Sequence, residues 1–93
     1  MKYTDEQIFD ALASYFSREG IGRENATVIG PDTDIIGQGL VDSLGIFKLI
    51  AFVEETFAVT IEPDDVLLEH FQTPRALRNL IVAKLSGEAR AAV

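Results

Sequence analysis

A serine next to a glycine-rich stretch is the residue of this sequence best placed for chemistry. Ser43 lies in the segment Gly39-Leu40-Val41-Asp42-Ser43-Leu44-Gly45, directly before a long amphipathic stretch. A serine at such a junction is an ordinary helix N-cap. A helix N-terminus also presents free backbone N–H groups and the positive end of the helix dipole, which suit a phosphodiester. A plain cap and a modification site both remain open for Ser43 at this point.

Hydrolytic chemistry is disfavoured, because the sequence contains a single histidine, His70. A Ser-His-Asp set could use only Ser43 and His70 with an aspartate. The Gly-x-Ser-x-Gly turn that exposes a hydrolase serine is broken, since Val41 stands at its first glycine position. We interpret His70 as a structural, partly exposed residue at a helix end, and we do not expect the protein to be an enzyme.

Calcium binding is the next candidate, because Asp32 to Ser43 can be aligned with the twelve-residue EF-hand loop. Asp32 and Asp34 fit two ligand positions. Ile36 offers no oxygen at a third, and Ser43 stands where a bidentate glutamate is needed. Turn formation explains these aspartates better. A calcium-binding helical module that uses Asp32, Asp34 and Asp42 is kept as an alternative, and no metal site is predicted.

The composition of the 93 residues excludes several classes of protein. Apolar residues make up 47% and charged residues 25%, which is typical of a globular domain. Cysteine is absent, so disulfides, zinc–thiolate sites and a cysteine nucleophile are excluded. No apolar run is long enough to cross a bilayer, and no signal peptide follows the charged first residues. We therefore expect a cytoplasmic protein without membrane insertion.

The charge of the chain is acidic and unevenly distributed. Fifteen Asp and Glu side chains against eight Lys and Arg give a net charge of −7. Residues 1–74 carry a net charge of −10 and residues 75–93 a net charge of +3. A chain of this charge repels nucleic acid. It favours basic protein partners through electrostatic steering, or the charge only provides solubility.

Four segments are predicted to be helical. Thr4 and Gln7 fit a capping box at the start of a first helix that ends near Arg18. Asp42-Ser43 begins the second helix, whose apolar residues recur at helical spacing, with Leu49, Val53 and Phe57 predicted in the core. A short third helix is expected from Pro63 to about Phe71, and a fourth from the Thr73-Pro74 pair to Ser86.

The connection between the first two helices, residues 19–42, is unusually long. It contains many glycines but also several aliphatic side chains, so we expect it to pack on the core and to position the start of the second helix. The sequence thus predicts an all-α protein: a small antiparallel four-helix bundle with a long first loop and a short third helix. Residues 1–86 would form one domain, and residues 87–93 a flexible tail.

This order of elements resembles the acyl and peptidyl carrier protein family. Asp42-Ser43-Leu44 matches the family's Asp-Ser-Leu motif at the start of its second helix, and Phe57-x-x-x-Ile61 matches its spacing after that helix. The resemblance extends over about residues 4 to 85. It implies that Ser43 carries 4′-phosphopantetheine, which a magnesium-dependent phosphopantetheinyl transferase adds from coenzyme A, and that Asp42 supports the attachment.

The same resemblance implies a function and a set of partners. The arm would hold an acyl or aminoacyl group as a thioester on its terminal thiol. The chain would be a free-standing monomer that meets a loading enzyme, such as an adenylating ligase, and a downstream transferase or synthase. Carriers of fatty-acid synthesis have alanine and an acidic residue around the motif, where this chain has Val41 and Gly45, and an acidic second helix, which Lys48 interrupts.

These departures favour a carrier of aminoacyl-transfer, D-alanylation-like or specialised-metabolite pathways. A fatty-acid carrier is the alternative within the family, and an unmodified helical interaction domain is the alternative outside it. Partner enzymes are expected to bind the exposed side of the second helix. Phe47 either packs under the long loop, against Ile35 or Leu40, or joins that surface. The predicted partner-binding residues are Leu44, Phe47, Lys48, Ala51 and Glu55.

Overall fold

The computed structural model describes residues 3–22 and 28–87, and this part of the chain contains helices and no strand. The all-α class predicted from the sequence is therefore confirmed. Residues 63–65 form an additional short 3₁₀ turn. The α-helices are α1 (Asp5–Arg18), α2 (Ser43–Phe57), α3 (Leu68–Phe71) and α4 (Pro74–Leu85).

Helix α1 begins at the predicted capping box. The Thr4 hydroxyl accepts the Gln7 N–H at 3.1 Å, and the Gln7 side chain accepts the Thr4 N–H at 2.9 Å. Two of the N–H groups that a helix leaves without partners are thereby satisfied. The helix ends at Arg18, and Gly20 follows with a φ of 69°, a conformation that glycine adopts without steric cost.

The core lies between α1, α2 and α4, and α4 contacts each of the other three helices. The predicted core residues of α2, Leu49, Val53 and Phe57, are each at most 2% exposed. The Cα radius of gyration of 12.5 Å is close to the ~12 Å expected for a folded domain of this length. The opposing residues predicted from α1 and α4 are buried as well: Leu12, Phe16, Leu77 and Ile81.

The connection between α1 and α2 packs on the core, as predicted, over most of its described length. Ile35 is fully buried and Val41 is 5% exposed. Val28 departs from the expectation, because 89% of its surface is exposed. Residues 23–27 of this connection and residues 88–93 of the predicted tail lie outside the described residues.

The predicted single helix from Pro63 to Phe71 is wrong, because the structure divides it. The 3₁₀ turn Pro63–Asp65 is followed by Val66 with a ψ of 73°, and α3 begins only at Leu68. Asp65 is the last residue before the break. Its carboxylate turns inward, accepts the Glu62 N–H at 2.8 Å and pairs with Lys84 of α4.

The fourth helix begins as predicted, with Thr73 as N-cap and Pro74 as its first residue. The Thr73 hydroxyl accepts the Ala76 N–H at 3.1 Å. Proline suits this position because its missing N–H would have no partner there. No helix within residues 3–22 and 28–87 has the length and apolar character needed to cross a membrane.

Candidate functional site

Asp42, and not Ser43, is the N-cap of α2. The Asp42 carboxylate accepts the Gly45 N–H at 2.8 Å, and its backbone carbonyl accepts the Ile46 N–H at 2.9 Å. The interpretation of Ser43 as a plain N-cap is therefore wrong. Ser43 is the first residue of the helix and is exposed. Since the aspartate does the capping, the serine hydroxyl is left for another use.

The surroundings of Ser43 suit a phosphodiester. The structure describes no hydrogen bond of the Ser43 hydroxyl within residues 3–22 and 28–87. The first N–H groups of α2 and its positive dipole end lie beside this residue. An anion attached there gains from both, and the Ser43 side chain is exposed within the described residues. The residues present therefore fit a phosphopantetheine group on Ser43.

Val41 and Gly45 fit each other at the start of the helix. Val41 is 5% exposed and packs beneath the first turn. A Cβ at position 45 would lie 3.0 Å from the Val41 Cγ1 atom and 3.3 Å from the Asp42 carboxylate. The two departures from the fatty-acid pattern thus form one packing unit, because the Val41 side chain leaves little room for a Cβ at position 45.

The loop before Ser43 is held by backbone hydrogen bonds. The Ile35 carbonyl accepts the N–H groups of Leu40 and Val41, each at 3.0 Å, which closes a tight turn just before the cap. The Ile35 N–H donates to the Gln72 carbonyl at 2.9 Å, and the Arg75 N–H donates to the Pro31 carbonyl at 2.8 Å. The junction of α3 and α4 therefore fixes the position from which α2 begins.

The aspartates of this loop serve its turns and its anchoring. Asp32 accepts from the Arg75 guanidinium at 2.7 Å and 3.2 Å, and this hydrogen bond lowers the pKa of the Asp32 carboxyl. Asp34 accepts the Gly37 N–H at 2.7 Å, and a Cβ at position 37 would collide with this carboxylate. The described part of the chain holds no cluster of three or more potential metal ligands.

The predicted partner-binding residues all lie exposed on α2. Leu44 is 64% exposed and Phe47 is 67% exposed, which is unusual for large apolar side chains. Of the two alternatives for Phe47, packing under the long loop is therefore wrong. The three remaining residues of this predicted surface are Lys48, Ala51 and Glu55.

His70 takes no part in this site. Its Nδ1 atom lies 2.7 Å from the carbonyl oxygen of Asp65, and the residue is half-buried at the end of α3. Sequence reasoning missed Gln72 and Arg75 as anchors of the loop. The signal available in the sequence was Arg75, a basic residue directly after Thr73-Pro74 that could pair with Asp32 of the loop.

A cavity of about 260 Å³ lies beside Ser43, between the end of α1, the loop and the start of α2. Both neighbours of the serine, Asp42 and Leu44, line it. The Lys48 ammonium stands 3.9 Å from the Glu19 carboxylate, and both residues line the cavity as well. Sequence reasoning did not foresee this cavity, because it depends on the approach of α1 to the loop.

Comparison with known proteins identifies the family. Residues 10–81 match the family described as "Phosphopantetheine attachment site". The chain is also similar to the D-alanyl carrier protein of Bacillus velezensis, with 30% identity over 81 residues. That alignment covers 87% of this chain and 91% of the relative.

Proposed function

The chain belongs to the family of carrier proteins with a phosphopantetheine attachment site, its cofactor is covalently attached 4′-phosphopantetheine, and we propose that Ser43 is the residue that carries it. The observation that supports this proposal is that two adjacent residues have different roles at the start of α2. Asp42 caps the helix, and the adjacent serine is exposed at the positive end of the helix dipole.

The other serines of the chain are less suited to attachment. Ser14 and Ser17 lie within α1, and the Ser86 hydroxyl donates to the Val82 carbonyl at 2.9 Å. In the proposed reaction, the Ser43 oxygen forms a bond to the pantetheine-bearing phosphorus of coenzyme A. The bond from that phosphorus to adenosine bisphosphate breaks, and the serine proton goes to the transferase. Asp42 supports the attachment by holding the first turn of α2.

We infer that the protein is a free-standing carrier that delivers acyl or aminoacyl groups between enzymes and is not itself catalytic. When bound, the cofactor supplies a thiol that can hold such groups as thioesters. The chain has no cysteine and so no thiol of its own. The name of the D-alanyl carrier relative supports aminoacyl cargo over fatty acids. The Val41–Gly45 packing unit and Lys48, which depart from the fatty-acid pattern, agree with it.

The partners proposed with this function are a phosphopantetheinyl transferase, an adenylating ligase or similar loading enzyme, and a downstream transferase or synthase. A cytoplasmic monomer with the four helices in antiparallel order completes the proposal. A fatty-acid carrier remains the alternative within the family, and an unmodified interaction domain the alternative outside it.

The test of the attachment residue is a comparison of Ser43→Ala with a matched control. We expect a broad-specificity transferase and coenzyme A to add one phosphopantetheine to the wild type and to Ser14→Ala, because Ser14 is exposed on α1. Ser43→Ala should gain none, as read by intact mass. An arm on Ser43→Ala contradicts the assignment, and an unmodified wild type favours the interaction domain.

The exposed apolar pair Leu44 and Phe47 is proposed as the centre of the surface on which partner enzymes bind. Large apolar side chains that remain in water beside a modification site often serve recognition. Phe47→Ala should leave the melting temperature near that of the wild type and reduce transfer to or from the loading enzyme several-fold. Val28→Ala is the control, because Val28 is 89% exposed and lies outside α2. Unchanged transfer with Phe47→Ala contradicts this surface.

A further inference from the structure

The cavity beside Ser43 has a location that relates it to whatever the serine carries. It is lined by residues directly before and after the serine, Asp42 and Leu44, and also by Ile21, which lies 22 positions earlier in the chain. Ser43 itself is not part of the lining, and a group attached to its oxygen begins between two neighbours that are. The cavity is then the surface depression next to the first atoms of that group.

The lining of the cavity combines two kinds of surface. Leu40, Val41 and Leu44 contribute aliphatic side chains, and Gly39 leaves space between them. Tyr15, Glu19 and Lys48 contribute polar groups. Burial, and after it the charge of Glu19, raises the pKa of the Tyr15 phenol, so at neutral pH it remains a hydroxyl that can both donate and accept a hydrogen bond.

We propose that this cavity binds the pantoyl segment of the arm, the part next to the phosphodiester, when the arm is attached to Ser43. The inference rests on the proposed attachment at that residue. The pantoyl segment bears two methyl groups, a hydroxyl and an amide. The methyl groups match the aliphatic lining, and the hydroxyl and amide match the polar side chains. The Lys48 ammonium, 3.9 Å from the Glu19 carboxylate, adds a positive charge to the lining.

The size of the cavity agrees with one segment of the arm. Pockets that enclose a whole cofactor or drug-sized ligand measure roughly 300–1,000 Å³, whereas this one measures about 260 Å³. The thiol end, which carries the cargo, therefore extends beyond it and stays accessible to enzymes. Because the arm is tethered, its effective concentration at the cavity is in the millimolar range, so weak contacts suffice to populate the bound position.

The experiment compares the protein without and with the arm by nuclear magnetic resonance, after mass spectrometry has shown complete loading. We expect nuclear Overhauser contacts from the arm's two methyl groups to the side chains of Ile21 and Leu40. Ile21 is the decisive residue, because it is far from Ser43 in sequence and cannot respond merely as a chain neighbour. An arm that is present on Ser43 without contacts to Ile21 and Leu40 overturns this inference and leaves the attachment proposal intact.

A pair of variants tests the position of the arm on the protein. Lys48→Trp places a bulky ring at a half-exposed position of the lining and should abolish the contacts to Ile21. Thr56→Trp is the control, because Thr56 is exposed on the same helix and outside the cavity, and it should preserve them. Contacts that persist in Lys48→Trp overturn the inference. If Lys48→Trp fails to fold, the wild-type contacts decide alone. Absence of any arm contradicts both proposals.

Discussion

The two connections that flank α2 are held in different ways. The first connection, of which residues 28–42 are described, precedes Ser43 and combines backbone hydrogen bonds and the buried Ile35 with an ion pair that is exposed. The second connection, residues 58–73, relies on a buried ion pair and on Phe71. The two meet where the Ile35 N–H donates to the Gln72 carbonyl. The segment that presents Ser43 is thus supported by the segment with the buried charges.

The buried pair of the second connection joins Asp65 to Lys84, whose side chains are only 11% and 3% exposed. The pair of the first connection joins Asp32 to Arg75, with 74% and 48% of their side chains exposed. An ion pair in water adds little to stability. Removing one partner of a buried pair leaves an uncompensated charge and is costly. Two ion pairs that both involve α4 should therefore differ greatly in what they contribute to the free energy of unfolding.

The largest effect is expected from Lys84→Met. The substitution keeps an apolar side chain of similar length but leaves the Asp65 carboxylate without its cation. We expect a loss of about 3 kcal/mol in the free energy of unfolding, at the lower end of the range for a broken buried pair, because Asp65 keeps the Glu62 N–H. Chemical denaturation of variant and wild type measures this loss.

The control for this experiment is the double variant Lys84→Met with Asp65→Asn. The asparagine oxygen can still accept the Glu62 N–H, and the buried charge is gone, so the double variant should recover much of the lost stability. A Lys84→Met protein as stable as the wild type would contradict the assigned difference between the two connections.

Acid is expected to act through the same carboxyl group. Burial of the Asp65 carboxyl raises its pKa, but the hydrogen bonds from Lys84 and the Glu62 N–H, with the Lys84 charge, outweigh this effect and hold the pKa below its usual range. A lowered pKa in the folded state contributes stability above the unfolded pKa of about 3.9, and this contribution is lost as the pH falls through the folded value.

Without Lys84, burial is expected to raise the pKa of the Asp65 carboxyl in the variant. The stability gap between wild type and Lys84→Met should therefore be largest near neutral pH and shrink as the pH falls, beginning above the unfolded pKa of about 3.9. Denaturation curves at a series of pH values measure this gap. A gap that grows as the pH falls would show that protonation of Asp65 is not the cause.

The features that could be predicted from the sequence are those that neighbouring residues determine. The Thr4–Gln7 capping box, the Thr73-Pro74 helix start and the apolar face of α2 each follow from side chains within one or two helical turns. The exposed serine at the start of α2 was located for the same reason. The sequence leaves open whether Ser43 or Asp42 caps the helix, because aspartate and serine cap equally well and only the backbone geometry decides between them.

The features that could not be predicted depend on distant residues. The inward position of Asp65, next to the break between Pro63 and Phe71, involves Lys84, which lies 19 positions later in the chain. For Phe47 the sequence leaves two positions open, under the loop or on the exposed side of α2, because aromatic residues are usually buried but helical spacing turns this one away from the core. Ile35 and Val41 already occupy the core beneath the loop, and Phe47 is left in water.

A smaller effect is expected from Arg75→Ala in the first connection. The substitution removes the exposed pair with Asp32 but keeps the hydrogen bond from the backbone of residue 75 to the Pro31 carbonyl. We expect the melting temperature to fall by only a small fraction of the fall seen with Lys84→Met. Ser43 should still accept phosphopantetheine at the wild-type rate. A large drop in either measurement would mean that the exposed pair, and not the backbone, positions the loop.

The smallest effect is expected from salt, which should act on the ion pair of the first connection more than on that of the second. At about 1 M salt the Debye length falls to about 3 Å, so exposed charges are largely screened and buried ones much less. The melting temperature of Arg75→Ala should then become equal to that of the wild type, while that of Lys84→Met stays lower. The wild type itself should gain slightly, because screening relieves the repulsion within a chain of net charge −7. If salt closes the difference in melting temperature between Lys84→Met and the wild type, Asp65 and Lys84 interact through water. The ion pairs of the two connections would then contribute in the same way.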